Sequence, residues 1–131
     1  MDFLRDLDKE IEALAKRNRK LGLTMESNLE LAMARYSNGG VTAGLLLCMR
    51  RMAEARAQLR TAAAALVLLM DIRRRVSASM DRTGETMNIA GLRQVMVQTV
   101  EKLQSVRMPS FSDKALLAEL EQLMQQKATR A

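Results

Sequence analysis

Apolar residues recur every seven positions between residues 41 and 80. Such a repeat places a continuous apolar stripe along an α-helix and is typical of a helix that packs lengthwise against a partner. Two interleaved series make up the stripe: Leu45, Met52, Leu59, Leu66, Arg73 and Met80, and Cys48, Ala55, Ala62, Leu69 and Val76. The pattern predicts one long helix over 41–80.

A similar pattern runs through residues 1–37 and predicts the helix that packs against this stripe. Its two series are Leu4, Ile11, Asn18, Met25 and Ala32, and Leu7, Leu14, Leu21 and Asn28. The segment "SNGG" (37–40) follows, and glycine suits a tight reversal of the chain. The first two helices are therefore predicted to form a long antiparallel hairpin, with Asn18 as a polar core position that sets its register.

Two shorter helices are predicted after the hairpin, over 85–106 and 112–128. "DRTGE" (81–85) interrupts the apolar pattern before the first of them, and Pro109 separates the two, because the residue before proline avoids helical geometry. Ser112 suits the N-cap of the last helix, with Phe111 and Leu116 at the spacing of a hydrophobic staple. These elements predict a single all-α domain spanning residues 1–131.

The composition supports this fold and argues against an enzyme. Aromatic residues make up 2% of the chain and proline occurs once, whereas the commonest residues favour helices. The chain has no histidine and one cysteine, which excludes His-dependent triads, His/Cys metal sites and an intrachain disulfide. Neither a paired acid and base nor a glycine-rich phosphate loop is present. We therefore expect no catalytic residue, no metal and no cofactor.

Positive charge is concentrated on the second helix. The net charge is +6, and residues 41–80 contain seven arginines but only two acidic residues, Glu54 and Asp71. A second basic cluster, "KRNRK" (16–20), lies on the first helix. Such clusters predict an anionic partner. The residues expected to bind an anionic membrane are Lys16, Arg17, Arg19, Lys20, Arg50, Arg51, Arg73, Arg74 and Arg75.

Other features restrict the partner and the location. No aromatic residues are interleaved with the basic clusters, and there is no helix-turn-helix spacing and no set of zinc ligands, which argues against nucleic acid. The longest uncharged runs are shorter than the ~20 residues of a transmembrane helix, and acidic residues near the N-terminus do not suit a signal peptide. We expect a cytoplasmic protein, peripheral at membranes.

Some apolar residues of the second helix lie outside the seven-residue stripe. Leu46, Leu47, Val67 and Leu68 occupy positions on other sides of the helix. A helix that is apolar on two sides is covered on two sides. The two shorter helices cannot cover its whole length, so part of this surface is predicted to contact another molecule.

The order of these features resembles the ESCRT-III family, also called charged multivesicular body proteins. The resemblance covers about residues 5–125 and is closest to the membrane-remodelling subclass. It rests on four segments: "RDLDKE" (5–10) in the first helix, "LAMARYSNGG" (31–40) at the hairpin tip, "MDRTGETMNIAGLRQVM" (80–96) at the junction into the third helix, and "SVRMPSFSDKALLAELEQLM" (105–124) at the fourth.

The resemblance implies a function and a set of partners. Such proteins polymerise on membranes, endosomal ones in eukaryotes, through a basic face of the hairpin, and the fourth helix of one subunit docks on the hairpin of another copy or homologous subunit. The residues that would contribute to assembly are Leu46, Leu47, Val67, Leu68, Leu116, Leu120 and Leu123. Family members usually continue into an acidic region and a motif that recruits an AAA ATPase. That ATPase would be a partner only if the full protein has such a region.

Two alternatives remain open from the sequence. The first is a soluble helical adaptor, or a structural subunit of a larger complex, whose apolar faces are covered by different proteins. The second is a basic helical protein that binds nucleic acid.

Overall fold

Four α-helices account for nearly all of the residues that the computed structural model describes, which are residues 2–80, 88–105 and 110–130. The helices are α1 (Asp2–Gly39), α2 (Ala43–Met80), α3 (Ile89–Gln104) and α4 (Asp113–Arg130). No strand occurs in these three ranges. The prediction of an all-α chain, with a long hairpin followed by two shorter helices, is confirmed.

Side chains next to the start of α3 and of α4 determine where these helices begin. The Asn88 side chain accepts a hydrogen bond from the backbone N–H of Gly91 and caps α3, and the Ser112 hydroxyl accepts one from the backbone N–H of Ala115 at the start of α4. The cap predicted at Ser112 is therefore confirmed. Residues 85–87 and residue 106, included in the predicted third helix, lie outside the described residues, as does the predicted break at 81–85.

The reversal between α1 and α2 depends on Gly40. Ser37 and Asn38 were predicted to lie in the turn, but α1 continues through them to Gly39. Gly40 has a φ of 73°, in the left-handed region that only glycine adopts without strain. Its backbone N–H donates to the Tyr36 carbonyl at 3.1 Å and closes the last turn of α1.

Two neighbouring glycines therefore offer a matched test of this turn. Gly40→Ala is expected to lower the free energy of unfolding by about 1–2 kcal/mol, because a β-carbon is strained in the left-handed region. Gly39→Ala should be neutral or stabilising by up to about 1 kcal/mol, because Gly39 is helical and no atom would contact the new methyl group. Urea denaturation measures both, and equal effects would show that the turn does not require glycine.

The chain divides into two compact units, where the sequence predicts one domain. The first unit comprises Met1–Arg19 and Leu59–Arg107, and the second comprises Lys20–Gln58 and Met108–Ala131. Each unit therefore contains half of α1, half of α2 and one of the shorter helices. We describe each unit separately.

The core of the second unit joins α1, α2 and α4. Its buried residues are Ala32, Leu45, Cys48, Met49, Met52, Ala53, Leu116 and Leu120. Phe111 and Met124 of the C-terminal segment pack against this cluster from its edge, as do Tyr36 and Leu46. The predicted staple pair, Phe111 and Leu116, thus belongs to one cluster. Burial of each large apolar side chain contributes about 1.5–3 kcal/mol to stability.

The core of the first unit uses a different set of α2 positions from the predicted stripe. Ala62, Leu69 and Val76 are buried as predicted, but Leu59 and Leu66 are only half-buried. Ile72 is buried instead of Arg73, which is exposed. A straight α-helix drifts by about 20° per heptad relative to a seven-residue repeat, so the buried positions change along a long helix.

Asn18 lies inside the first unit, and its register role stays a prediction. Its Oδ1 atom is buried and has no hydrogen-bond partner in the described part of the chain. A buried polar atom without a partner lowers stability. The apolar contacts of α1 in this unit come from Phe3, Leu7 and Leu14, which are all buried.

Candidate functional site

The basic segment of α1, residues 16–20, is exposed and forms no ion pair with the described residues. Lys16, Arg17, Arg19 and Lys20 are all exposed. No carboxylate of the described residues forms an ion pair with any of the four. The first three belong to the first unit and Lys20 to the second. Lys16 and Arg19 are three residues apart on the helix surface, where like charges repel each other. The segment therefore presents positive charge to solvent.

The arginines at the end of α2 have acidic partners. Arg73 donates a hydrogen bond to Asp8 of α1, and this bond together with the attraction of the carboxylate raises the pKa of Arg73. Arg74 and Arg75 both bind Asp71, at 2.6 Å and 3.0 Å. All three arginines are nevertheless exposed. Ion pairs of exposed arginines contribute little to stability, so these arginines can exchange a carboxylate for another anion at small cost.

The two predicted basic residues near the start of α2 differ from each other. The Arg50 guanidinium donates to the Asp113 carboxylate of α4 at 2.7 Å. Arg51 is exposed and forms no ion pair with any described residue. Arg56, which the sequence analysis did not select, binds Glu119 of α4 through both carboxylate oxygens. Two arginines of α2 thus hold two of the three acidic residues of α4.

The placement of α4 corrects part of the assembly prediction. Leu116 and Leu120 are 3% and 0% exposed, in the core of their own chain. They cannot contact another copy in this conformation, because the half of α2 in the same unit already covers them. Leu46 is half-buried against the same core, and Leu123 is also half-buried. Of the assembly residues predicted in this unit, Leu47 is the exposed one, with 43% of its surface accessible.

Val67 and Leu68 of the first unit remain exposed, as the assembly prediction requires. Their exposed fractions are 68% and 41%. Met70, at 53%, is a further exposed apolar residue of α2 and was not among the predicted assembly residues. The sequence could have indicated Met70, because it lies three residues after Val67 and therefore on the same helical face.

An open groove lies between α2 and α3 in the first unit, with a volume of ≈ 870 Å³. Its α2 wall is formed by Thr61, Ala64, Ala65 and Leu68, and its α3 wall includes Val95, Gln98, Thr99 and Lys102. Both sets follow the spacing i, i+3, i+4, i+7, which is one face of a helix. The groove has the shape and lining of a site for another helix.

In residues 2–80, 88–105 and 110–130, no three acidic or cysteine side chains form a cluster able to hold a metal ion. Cys48, the free cysteine, is buried in the core of the second unit. No helix of the described part is both long enough and apolar enough to cross a membrane.

Three comparisons with known proteins assign this chain to no family. Neither the protein-family models, nor the curated proteins, nor the solved structures contain a match to this chain. The basic segment of α1, the exposed α2 residues and the α2–α3 groove are therefore the observations on which a function can be proposed.

Proposed function

We propose that this chain is a non-enzymatic, ESCRT-III-like subunit that binds anionic membranes at their surface and assembles there with other copies or homologous subunits. The observation that carries the proposal is the basic segment of α1, whose four side chains are exposed and form no ion pair with a described residue. Each basic residue near an anionic leaflet contributes about 1 kcal/mol of binding free energy. Four such residues are enough for reversible binding at the membrane surface.

The arginines of α2 would add to this binding in a second step. Arg51 is exposed and forms no ion pair with a described residue. Arg73 binds the exposed carboxylate of Asp8, and Arg74 and Arg75 share the half-buried carboxylate of Asp71. Lipid phosphates can replace both carboxylates, because all three arginines are exposed. Replacement of Asp71 would free two guanidinium groups at once. We therefore expect binding to weaken steeply with salt, because every contact is between exposed charges.

Assembly in the manner of the ESCRT-III family requires a change in α4. Its apolar stripe, which the resemblance assigns to a neighbouring subunit, is buried in its own chain through Leu116 and Leu120. Two ion pairs with α2, one exposed and one partly buried, hold the same helix, and the exposed pair weakens more as salt rises. Polymer formation by this route would begin with release of α4, while Leu47, Val67 and Leu68 stay available for other contacts.

Two double variants test this proposal, because each removes two positive charges from exposed lysines. Lys16→Gln with Lys20→Gln should weaken binding to vesicles that contain phosphatidylserine by about 2 kcal/mol, or roughly 30-fold. Lys114→Gln with Lys127→Gln removes the same charge from α4 and should have a much smaller effect. Sedimentation with vesicles measures both, at low and at physiological salt. Equal losses in the two variants would reduce the proposal to a nonspecific effect of net charge.

Binding assays and electron microscopy of the parent chain distinguish the other candidate functions. A parent chain that binds duplex DNA more tightly than phosphatidylserine vesicles would favour the nucleic-acid alternative. Electron microscopy of the parent on anionic vesicles tests assembly, and a chain that binds but never forms a polymer would retain only the membrane part of the proposal.

The open groove supports a second candidate, a helical adaptor that binds a helix of another protein. Its α2 wall presents Ala64, Ala65 and Leu68 at helical spacing, whereas its α3 wall combines apolar side chains with polar ones, among them Glu101 and Lys102. An amphipathic helix whose edge carries both a basic and an acidic residue would suit this lining. Ala64→Arg would fill the groove, and loss of a helical partner without loss of vesicle binding would favour this candidate.

A further inference from the structure

An exposed row of five side chains runs along α2 in the first unit: Arg60, Ala63, Val67, Met70 and Arg74. Their spacing is i, i+3, i+7, i+10 and i+14, which keeps them on one face of the helix. At about 100° per residue, Val67 lies roughly 160–180° around the helix from Leu69 and Val76 of the core. The row therefore points directly away from the core of its unit.

The row is apolar at its centre and cationic at both ends. Val67 and Met70 are 68% and 53% exposed, so two large apolar side chains face solvent between the two arginines. Arg60 has no ion pair among the described residues, and Arg74 shares Asp71 with Arg75, so one carboxylate faces two guanidinium groups. The two arginines are about 21 Å apart along the axis.

These charges argue against a second copy as the occupant of the row. In an antiparallel pairing centred on Val67, Arg60 of one chain would lie opposite Arg74 of the other. In a parallel pairing, each arginine would lie opposite its own counterpart. Both symmetric pairings place like charges together, and such contacts are unfavourable at an interface. The occupant must instead offer negative charge at both ends of an apolar contact.

We infer that this row is a membrane-insertion face, in which Val67 and Met70 enter the interface of an anionic bilayer. A lipid surface provides phosphates at every position, so it satisfies both arginines without a matching spacing. Helices that lie in the interface combine apolar side chains with cationic ones, and arginine stems can extend back to the headgroups. The inference rests on the proposed membrane function and adds the residues that contact acyl chains.

An environment-sensitive fluorophore attached to a single cysteine tests the insertion. The label is placed in the Val67→Cys variant, with Cys48→Ala removing the native thiol. Val97→Cys is the matched control, because Val97 is also an exposed valine of the first unit, at 43%. We expect a blue shift and quenching by lipid-borne quenchers at position 67 on phosphatidylserine vesicles, and a small response at position 97.

Charge insertion tests the same face without a label. Val67→Asp should weaken binding to phosphatidylserine vesicles about tenfold, the factor that corresponds to burial of one valine side chain. Val97→Asp should leave binding nearly unchanged. Both positions are exposed, so circular dichroism should show that each variant remains helical. In high salt, the parent should retain residual binding that Val67→Asp lacks, because apolar contacts are not screened.

The outcomes separate this inference from the proposed function. If the parent binds vesicles but position 67 shows no shift, or positions 67 and 97 shift equally, the insertion face is wrong and surface binding stands. A shift at position 67 that follows protein concentration without vesicles would assign the row to another copy and overturn the inference. A parent that does not bind anionic vesicles at all would overturn both.

Discussion

Replacing Leu69 with alanine is expected to lower the free energy of unfolding by about 2–5 kcal/mol. Leu69 is 0% exposed and belongs to the core of the first unit, so the shorter side chain leaves a cavity that its neighbours only partly fill. Denaturation in urea, followed by the loss of helical circular dichroism, measures the change.

The adjacent residue supplies the control for this variant. Leu68→Ala makes the same chemical change on the same helix, but Leu68 is 41% exposed. Its effect should stay within about 0.5 kcal/mol, as for most surface substitutions. Equal losses at the two positions would mean that α2 packs with a different face toward its unit than the structure shows.

A charge at the centre of the α4 contact should have a comparable effect on the second unit. Leu120 is fully buried against α2, and Leu120→Asp would bury a carboxylate that has no partner there. We expect this variant to lose about 3 kcal/mol or more and to release α4, whose two ion pairs with α2 are exposed or only partly buried. Hydrogen exchange of the α4 amides should then become fast.

Ala118→Asp is the matched control for this change. It introduces the same residue into the same helix at an exposed position and should leave the α4 amides protected. The amides of α3, in the other unit, should stay protected in both variants. Continued protection of α4 in Leu120→Asp would show that Leu120 does not hold the helix, and would return the α4 stripe to the assembly role that the resemblance implied.

The stripe of α2 shows how far a heptad pattern predicts a long helix. One of its two series, from Cys48 to Val76, is buried throughout. The other is buried at Leu45 and Met52 but not at Arg73. A seven-residue repeat describes contact with one partner helix, whereas α2 also packs against α4 in one unit. In the unit that contains α4, Met49 and Ala53 of α2 are also buried, and neither belongs to a heptad series.

The charge pattern of the sequence predicted part of the candidate site. The basic residues of α1 that were predicted to bind a membrane are all exposed, and four of them within five positions cannot all be buried. The ion pairs of Arg50, Arg56 and Arg73 could not be predicted. Each joins residues more than sixty positions apart in the chain, so they depend on which helices become neighbours.

The sequence by itself determined the helical class, the hairpin and the caps, because these depend on residue propensities, side-chain periodicity and hydrogen bonds within a few positions. The tertiary structure alone decided which apolar surface stays exposed. Leu116, Leu120 and Val67 are all apolar residues on amphipathic or mixed helices, yet two are buried and one is 68% exposed. The difference arises from which helix packs against each face, a contact between distant segments that no local pattern specifies.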